Sequence, residues 1–293
     1  MSNNQTDIDF SNDFFKFKSI KTYCNTEWLY NNTKNYRTVF EKEELAYVYC
    51  ELAIYNKKFD LVDWDMKLDL LCYDEFNEQI CVLNCDRIIK KEDPIAYIRE
   101  GWGVVSKGTY WGKGIYRWEA QVEGKTIALQ TFYVENQHYF SKHINPYFSI
   151  IQAKLYEGPD ENVSYNERNF TKTFDVRTVR YVWIEIEFLN KLNSKELWNG
   201  ELFFYYKSSA GLLKGFCTRF FNVNLDLNHF YIDIGWGSDD LGTWNTGYYS
   251  IEVVFMNTLI ATIPFEIYNK KTLTKTLTKS LTNYFKLKNK IKL

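Results

Sequence analysis

The chain carries one glycine and aromatic stretch twice. Gly101-Trp102-Gly103, followed by Gly108-Thr109-Tyr110-Trp111-Gly112-Lys113-Gly114-Ile115-Tyr116-Arg117-Trp118-Glu119, returns as Gly235-Trp236-Gly237 and Gly242-Thr243-Trp244-Asn245-Thr246-Gly247-Tyr248-Tyr249-Ser250-Ile251-Glu252. The triplets lie 134 residues apart and the later Trp, Gly and Glu lie 133 apart, so the second copy lacks one residue just before that Trp. A repeat of this period is a duplicated domain. A chain of 293 residues holds two units of ordinary domain size, each able to bury its own core.

The duplication reaches back along the chain. Tyr36 to Ile54 aligns without gaps with Phe170 to Phe188, pairing Phe40 with Phe174, Tyr47-Val48 with Tyr181-Val182 and Glu51 with Glu185. Side chains alternate along a strand, so Val182, Ile184, Ile186 and Phe188 share one face and Tyr181, Trp183, Glu185 and Glu187 the other. In the first copy Val48, Cys50, Leu52 and Ile54 oppose Tyr47, Tyr49, Glu51 and Ala53. The first face is core; the second is aromatic and acidic. Further strands are expected at Phe14 to Ile20 and Phe148 to Leu155, and at Trp64 to Leu70 and Trp198 to Phe204. A closing hairpin is expected around Glu123-Gly124-Lys125, with its copy around Met256-Asn257-Thr258. The residues after Asp86 find no clear match before the Gly-Trp-Gly triplet.

With 22 Phe, 23 Tyr and 9 Trp, the composition favours strands, and helical periodicity is scarce. The fold class that follows is all-β: two tandem antiparallel immunoglobulin-like β-sandwiches of roughly seven strands each, followed by a short basic C-terminal tail compatible with a helix. The expected boundaries are a disordered N-terminus at 1–12, sandwiches at 13–135 and 148–269, a linker at 136–147 and the tail at 270–293.

The net charge of -1 hides an asymmetry, because the tail carries eight Lys and no acidic residue. An acidic body argues against a nucleic-acid partner. Leu273, Leu277, Leu281 and Phe285 recur four apart in the tail. This makes the tail either a solvated linker or a weak contact for an acidic partner or an anionic membrane surface. A membrane partner is not otherwise expected: there is no signal-like start and no apolar run of membrane-spanning length. Cysteines at 24, 50, 72, 81, 85 and 217 fall unequally between the copies, which predicts free thiols and a cytoplasmic location. No zinc-like spacing surrounds Cys81 and Cys85, so no metal and no cofactor is expected.

Catalytic signatures fail one by one. Glu123-Gly124-Lys125-Thr126 ends like a phosphate-binding loop, but Glu119 stands where the upstream glycine is required, so it reads as a hairpin turn. Glu51, Glu119, Glu185 and Glu252 recur in both copies, as residues that serve the fold do, and strand-face solvation or a salt bridge is the expectation for them. The histidines at 138, 143 and 229 have no nucleophile motif beside them. No catalytic residue is assigned and no enzymatic activity is expected. Most Trp positions are matched between copies and read as packing residues, whereas Trp28 has no counterpart. The partner-binding candidates are therefore Tyr47, Tyr49, Tyr181 and Trp183, on the second face of the central strands, together with Trp28. That face is either packed on the sister domain or offered to a partner.

One resemblance adds to this reading. Gly101-Trp102-Gly103, Trp111, Gly114, Tyr116-Arg117-Trp118-Glu119, Gly124-Lys125, Ile127-Ala128 and Phe132 form the first pattern. Tyr156-Glu157-Gly158, Arg180-Tyr181-Val182-Trp183, Gly235-Trp236-Gly237, Trp244, Gly247, Tyr249, Glu252, Ile260-Ala261 and Phe265 form the second. Both resemble the immunoglobulin-like N-terminal modules of bacterial AAA-type ATPases and related multidomain proteins. The resemblance implies a non-catalytic interaction, sensor or adaptor module that positions an ATPase or other effector, although no ATPase sequence follows here. The alternative expectation is a sandwich that binds carbohydrate or a small ligand.

Overall fold

The computed structural model describes residues 12–24, 34–135, 144–192 and 196–270. Trp28, His138, His143, residues 1–11, most of the expected linker and the tail beyond Lys270 lie outside them. The fold is all-β. The chain divides into two units, one of Met1–Tyr139 with Trp198–Glu201, the other of Phe140–Leu197 with Leu202–Leu293.

The first unit builds β1 (Phe15–Cys24), β2 (Val39–Glu41), β3 (Tyr47–Asn56), β4 (Trp64–Met66), β5 (Leu68–Asp74), β6 (Gln79–Asn84), β7 (Arg87–Ile89), β8 (Ile95–Gly103), β9 (Gly114–Val122) and β10 (Lys125–Glu135). One sheet runs β1-β3-β8, a second runs β2-β10-β9-β5-β6, and β4 pairs with β7. The following strands are β11 (Phe148–Gly158), β12 (Thr173–Asp175), β13 (Tyr181–Asn190), β14 (Trp198–Ser208), β15 (Leu213–Val223), β16 (His229–Gly237), β17 (Gly247–Phe255) and β18 (Thr258–Tyr268). Their sheets, β11-β13-β16 and β12-β18-β17-β14-β15, repeat the same connectivity. Two sheets joined by strands that change layer is the immunoglobulin-like arrangement.

Strand direction departs from expectation at one place in each copy. β2 pairs parallel with β10, Val39 opposite Tyr133, and β12 pairs parallel with β18, Phe174 opposite Ile267. After β1 the chain leaves the three-stranded sheet and runs beside the last strand, where a short parallel segment covers an otherwise open edge. The match after Asp86 is also closer than the sequence comparison suggested. β8 and β16 superpose at the same offset, with Tyr97 and Tyr231 both opposite the central strand.

Alternation places the cores as expected. Val48, Cys50, Leu52 and Ile54 are fully buried in the first unit, and Val182, Ile184, Ile186 and Phe188 in the second. Trp111 packs edge-on against Tyr116 and Phe132 at 5.0 and 5.6 Å, and Trp244 against Tyr249 and Phe265 at 5.4 and 5.6 Å. The repeated motif is thus the closing element of each core. The hairpin β9–β10 turns through Glu123 and Gly124, with φ of 51° and 74°, and β17–β18 through Met256 and Asn257, with φ of 44° and 58°. Positive φ at both central residues is the two-residue turn whose twist matches the strands, so Glu123-Gly124-Lys125-Thr126 is a hairpin and not a phosphate loop.

Candidate functional site

The aromatic and acidic face of each central strand is the outer face of a three-stranded sheet. In the first unit Tyr49 stacks on Tyr23 at 5.0 Å, and Tyr23 meets the edge of Tyr36 at 6.1 Å. In the second, Trp183 stacks on Tyr156 at 5.9 Å, and Tyr156 meets the edge of Phe170 at 5.8 Å. Tyr36 and Phe170 belong to the strap that leads into the second strand of each unit, described over residues 34–38 in the first and 159–172 in the second. The strap is fastened by Arg37 N–H to Thr22 O at 3.0 Å in one unit and Thr171 N–H to Leu155 O at 2.8 Å in the other. Each strap therefore closes a three-ring aromatic layer over the sheet.

The same rings explain the first glycine of the Gly-Trp-Gly triplet. Tyr49 lies opposite Gly101 and Trp183 opposite Gly235 across the ladder. A Cβ at either glycine would stand 2.5 Å from ring atoms, so the ring occupies the space a side chain would need.

Beneath each strap lies a buried carboxylate. Glu51 accepts from Tyr36 Oη at 2.6 Å, from Lys34 Nζ at 3.3 Å and from Arg99 Nε. Burial pushes its carboxyl up, but the hydrogen bonds from Tyr36 and Arg99 and the charges of Arg99 and Lys34 outweigh that and hold it below the ordinary glutamate value. Glu185 pairs with Arg168 Nη1, while Arg168 Nη2 donates to Asp233 at 2.9 Å and to Asn162 at 2.9 Å. Arg168 occupies the position of Lys34, and Asp233 that of Arg99. The first unit thus sets two cations on one carboxylate, and the second sets one cation between two carboxylates.

Glu119 and Glu252 lie elsewhere. Glu119 accepts from Gln121 Nε2 at 2.9 Å and from Thr126 Oγ1, and Glu252 from Lys207 Nζ at 2.6 Å. Both sit on the outer face of the five-stranded sheet, since their neighbours Trp118 and Ile251 are fully buried. Glu51 and Glu119 therefore face away from each other across the thickness of two packed sheets. They do not form the paired carboxylates that glycoside hydrolysis uses.

The sequence candidates fall into two groups. Tyr47, Tyr49 and Tyr181 are half-buried, and Trp183 is buried, with its indole N–H donating to Pro159 O at 2.8 Å. Trp28 is outside the described residues. What the outer face of the first unit does offer is a pair that the sequence alone does not single out. Tyr55 and Tyr97 are 45% and 42% exposed, and their backbone partners, Ile95 and Ala53, make them diagonal neighbours. Lys18 Nζ lies 5.4 and 5.6 Å from their ring centroids, the Arg99 guanidinium lies 4.9 Å from that of Tyr97, and Lys21 Nζ lies 4.7 Å from that of Tyr36. Lys16 pairs opposite Tyr55. The signal that would have found the site is the match of Tyr97 with Tyr231.

In the second unit Tyr231, 59% exposed, donates instead to Glu187 at 3.0 Å, and Glu187 also meets His229 Nδ1 at 3.1 Å and Gln152 Nε2 at 2.6 Å. These hydrogen bonds from Gln152 and His229 hold Glu187 below the ordinary glutamate range. The shared tyrosine sits among cations in one copy and beside a carboxylate in the other.

Among the described residues no group of three or more His, Cys, Asp or Glu has a geometry that holds a metal, and no helix is long and apolar enough to cross a membrane. No protein-family model matches the chain, and no curated protein matches it. Among solved structures, a red sea bream transglutaminase aligns at 12% identity with a TM-score of 0.29, over 89% of this chain and 32% of its own. At that score the likeness carries no weight for fold or function, and this chain spans about a third of that protein's length.

Proposed function

We propose that the chain is a non-catalytic protein-interaction module whose binding surface is the outer face of the first unit's three-stranded sheet. The observation that carries this is the exposed Tyr55 and Tyr97 pair, with Lys18 against both rings, Arg99 against Tyr97 and Lys16 opposite Tyr55. Exposed tyrosines supply large apolar area at low entropic cost, and flanking cations steer an acidic partner toward them. The partner this surface fits is a protein with a carboxylate-rich segment. The resemblance stated above adds an adaptor role, in which the module positions an ATPase or another effector. Six free cysteines, five of them buried, support a reducing, cytoplasmic setting.

The carbohydrate reading is favoured by the same exposed rings, which a sugar can stack on. Lys18 stands over both, so a sugar would have to displace it. Capture from an extract of the source cells on the immobilised full chain separates the readings. The protein reading expects captured proteins that elute at high salt and are lost from a Lys16→Glu, Lys18→Glu double variant. Capture unchanged by that variant, or a glycan-array signal abolished by Tyr97→Ala with no protein captured, would count against it.

A further inference from the structure

The two copies differ inside the core as well as on the surface. In the first unit Cys72 on β5 and Cys81 on the edge strand β6 are paired directly across an antiparallel ladder. Both side chains point into the core, Cys72 fully buried and Cys81 7% exposed. Opposed residues of an antiparallel pair have Cα atoms about 4.5 or 5.5 Å apart, and both separations fall within the range of about 4.4 to 6.8 Å that a disulfide spans.

The second unit fills the same place differently. Asp74 N–H bonds Glu78 O at the tip of the first hairpin, and Ser208 N–H bonds Leu212 O at the tip of its copy. Counting from those turns, Tyr206 stands at the position of Cys72 and Gly215 at that of Cys81. Trp236 lies flat against Gly215, 1.9 Å from where a Cβ would be, and packs on Tyr206 at 5.8 Å. The corresponding Trp102 is 36% exposed and donates to Tyr110 Oη at 2.7 Å. Where one copy closes its core with aromatics, the other places two thiols.

We propose that Cys72 and Cys81 are a thiol pair that hydrogen peroxide converts reversibly to a cross-strand disulfide. The Cys81 thiolate attacks one peroxide oxygen; the O–O bond breaks, Cys81 becomes a sulfenic acid, and the departing hydroxide takes up the proton Cys81 lost. The Cys72 sulfur then attacks the Cys81 sulfur, the S–O bond breaks, and the Cys72 proton leaves with the hydroxide as water. Two thiols are oxidised by two electrons, and one peroxide is reduced to two waters.

The order of the steps follows from the environment. The interaction between the two paired sulfurs raises Cys72 and lowers Cys81, which favours the thiolate on Cys81. Cys81 is also the one on the edge strand, where a molecule as small as peroxide gains access first. The neighbouring thiols are poorer partners. Cys50 belongs to the other sheet, at a layer spacing of about 10 Å. Cys85 lies opposite Leu68, to whose carbonyl its N–H bonds at 2.7 Å, and burial pushes its thiol up to about 12.

The test is thiol titration and peptide mass mapping of the full chain before and after peroxide. Trypsin releases residues 68–87 as one peptide holding Cys72, Cys81 and Cys85, so a Cys85→Ser chain isolates the pair. The expected result is that this chain loses two titratable thiols and that the peptide loses the mass of two hydrogens, both reversed by dithiothreitol, while a Cys81→Ser chain shows neither change. Retention of every thiol in the Cys85→Ser chain would overturn the proposal, as would loss of the same two hydrogens from the Cys81→Ser chain. Circular dichroism checks that Cys81→Ser keeps its strand signal; should it not, the Cys85→Ser result alone decides.

Discussion

Gly101 and Gly235 show why single residues were conspicuous in the sequence while their reason was hidden. As part of a glycine and tryptophan motif they suggested a site. The ladder shows each lying under a ring from the adjacent strand, Tyr49 or Trp183. The pattern was visible because it occurs twice; its cause was not, because ring and glycine are separated by about 50 positions and meet only through strand pairing. Replacing either glycine by alanine should push the ring off the sheet and destabilise its unit by about 1–3 kcal/mol, the usual penalty for overpacking. Gly124→Ala meets nothing within 4 Å, so it should cost only the backbone preference, about 1 kcal/mol. Urea midpoints of the three variants check the ranking, and equal losses would refute the close-approach explanation.

At the scale of the element, the straps decide what each sheet presents. Alternation in β3 and β13 made the core face legible in the sequence, and it made the opposite face look like an open aromatic surface. The strap that covers it could not be read, because its hold depends on a carboxylate, a cation and a ring supplied by separate segments. Glu51 is the clearest case, with its folded pKa held below the unfolded value. A depressed carboxylate contributes stability that is fully present above the unfolded pKa, about 4.3, and is lost as pH falls through the folded value. Glu51→Gln should therefore be less stable than the parent chain at pH 7, with the difference shrinking as pH drops below about 4. Denaturant unfolding across that range measures it, and a difference independent of pH would contradict the assignment.

For the whole molecule, duplication gave two copies of one sandwich and divergence gave them different surfaces and interiors. The duplication, the all-β class and the core faces were legible because hydrophobic alternation and the long offset are properties of sequence. The exposed Tyr55 and Tyr97 pair was not, because the match through β8 and β16 is short and the charges around it change sign between copies. In the function proposed, the basic tyrosine face of the first unit, and not its acidic counterpart, carries the interaction. A photo-crosslinking phenylalanine derivative placed at position 97 or at position 231 of the full chain, irradiated in an extract of the source cells, tests it most directly. Protein adducts that disappear at high salt are expected from position 97 and none above background from position 231; equal adducts from the two positions, or adducts from 231 alone, would overturn the assignment.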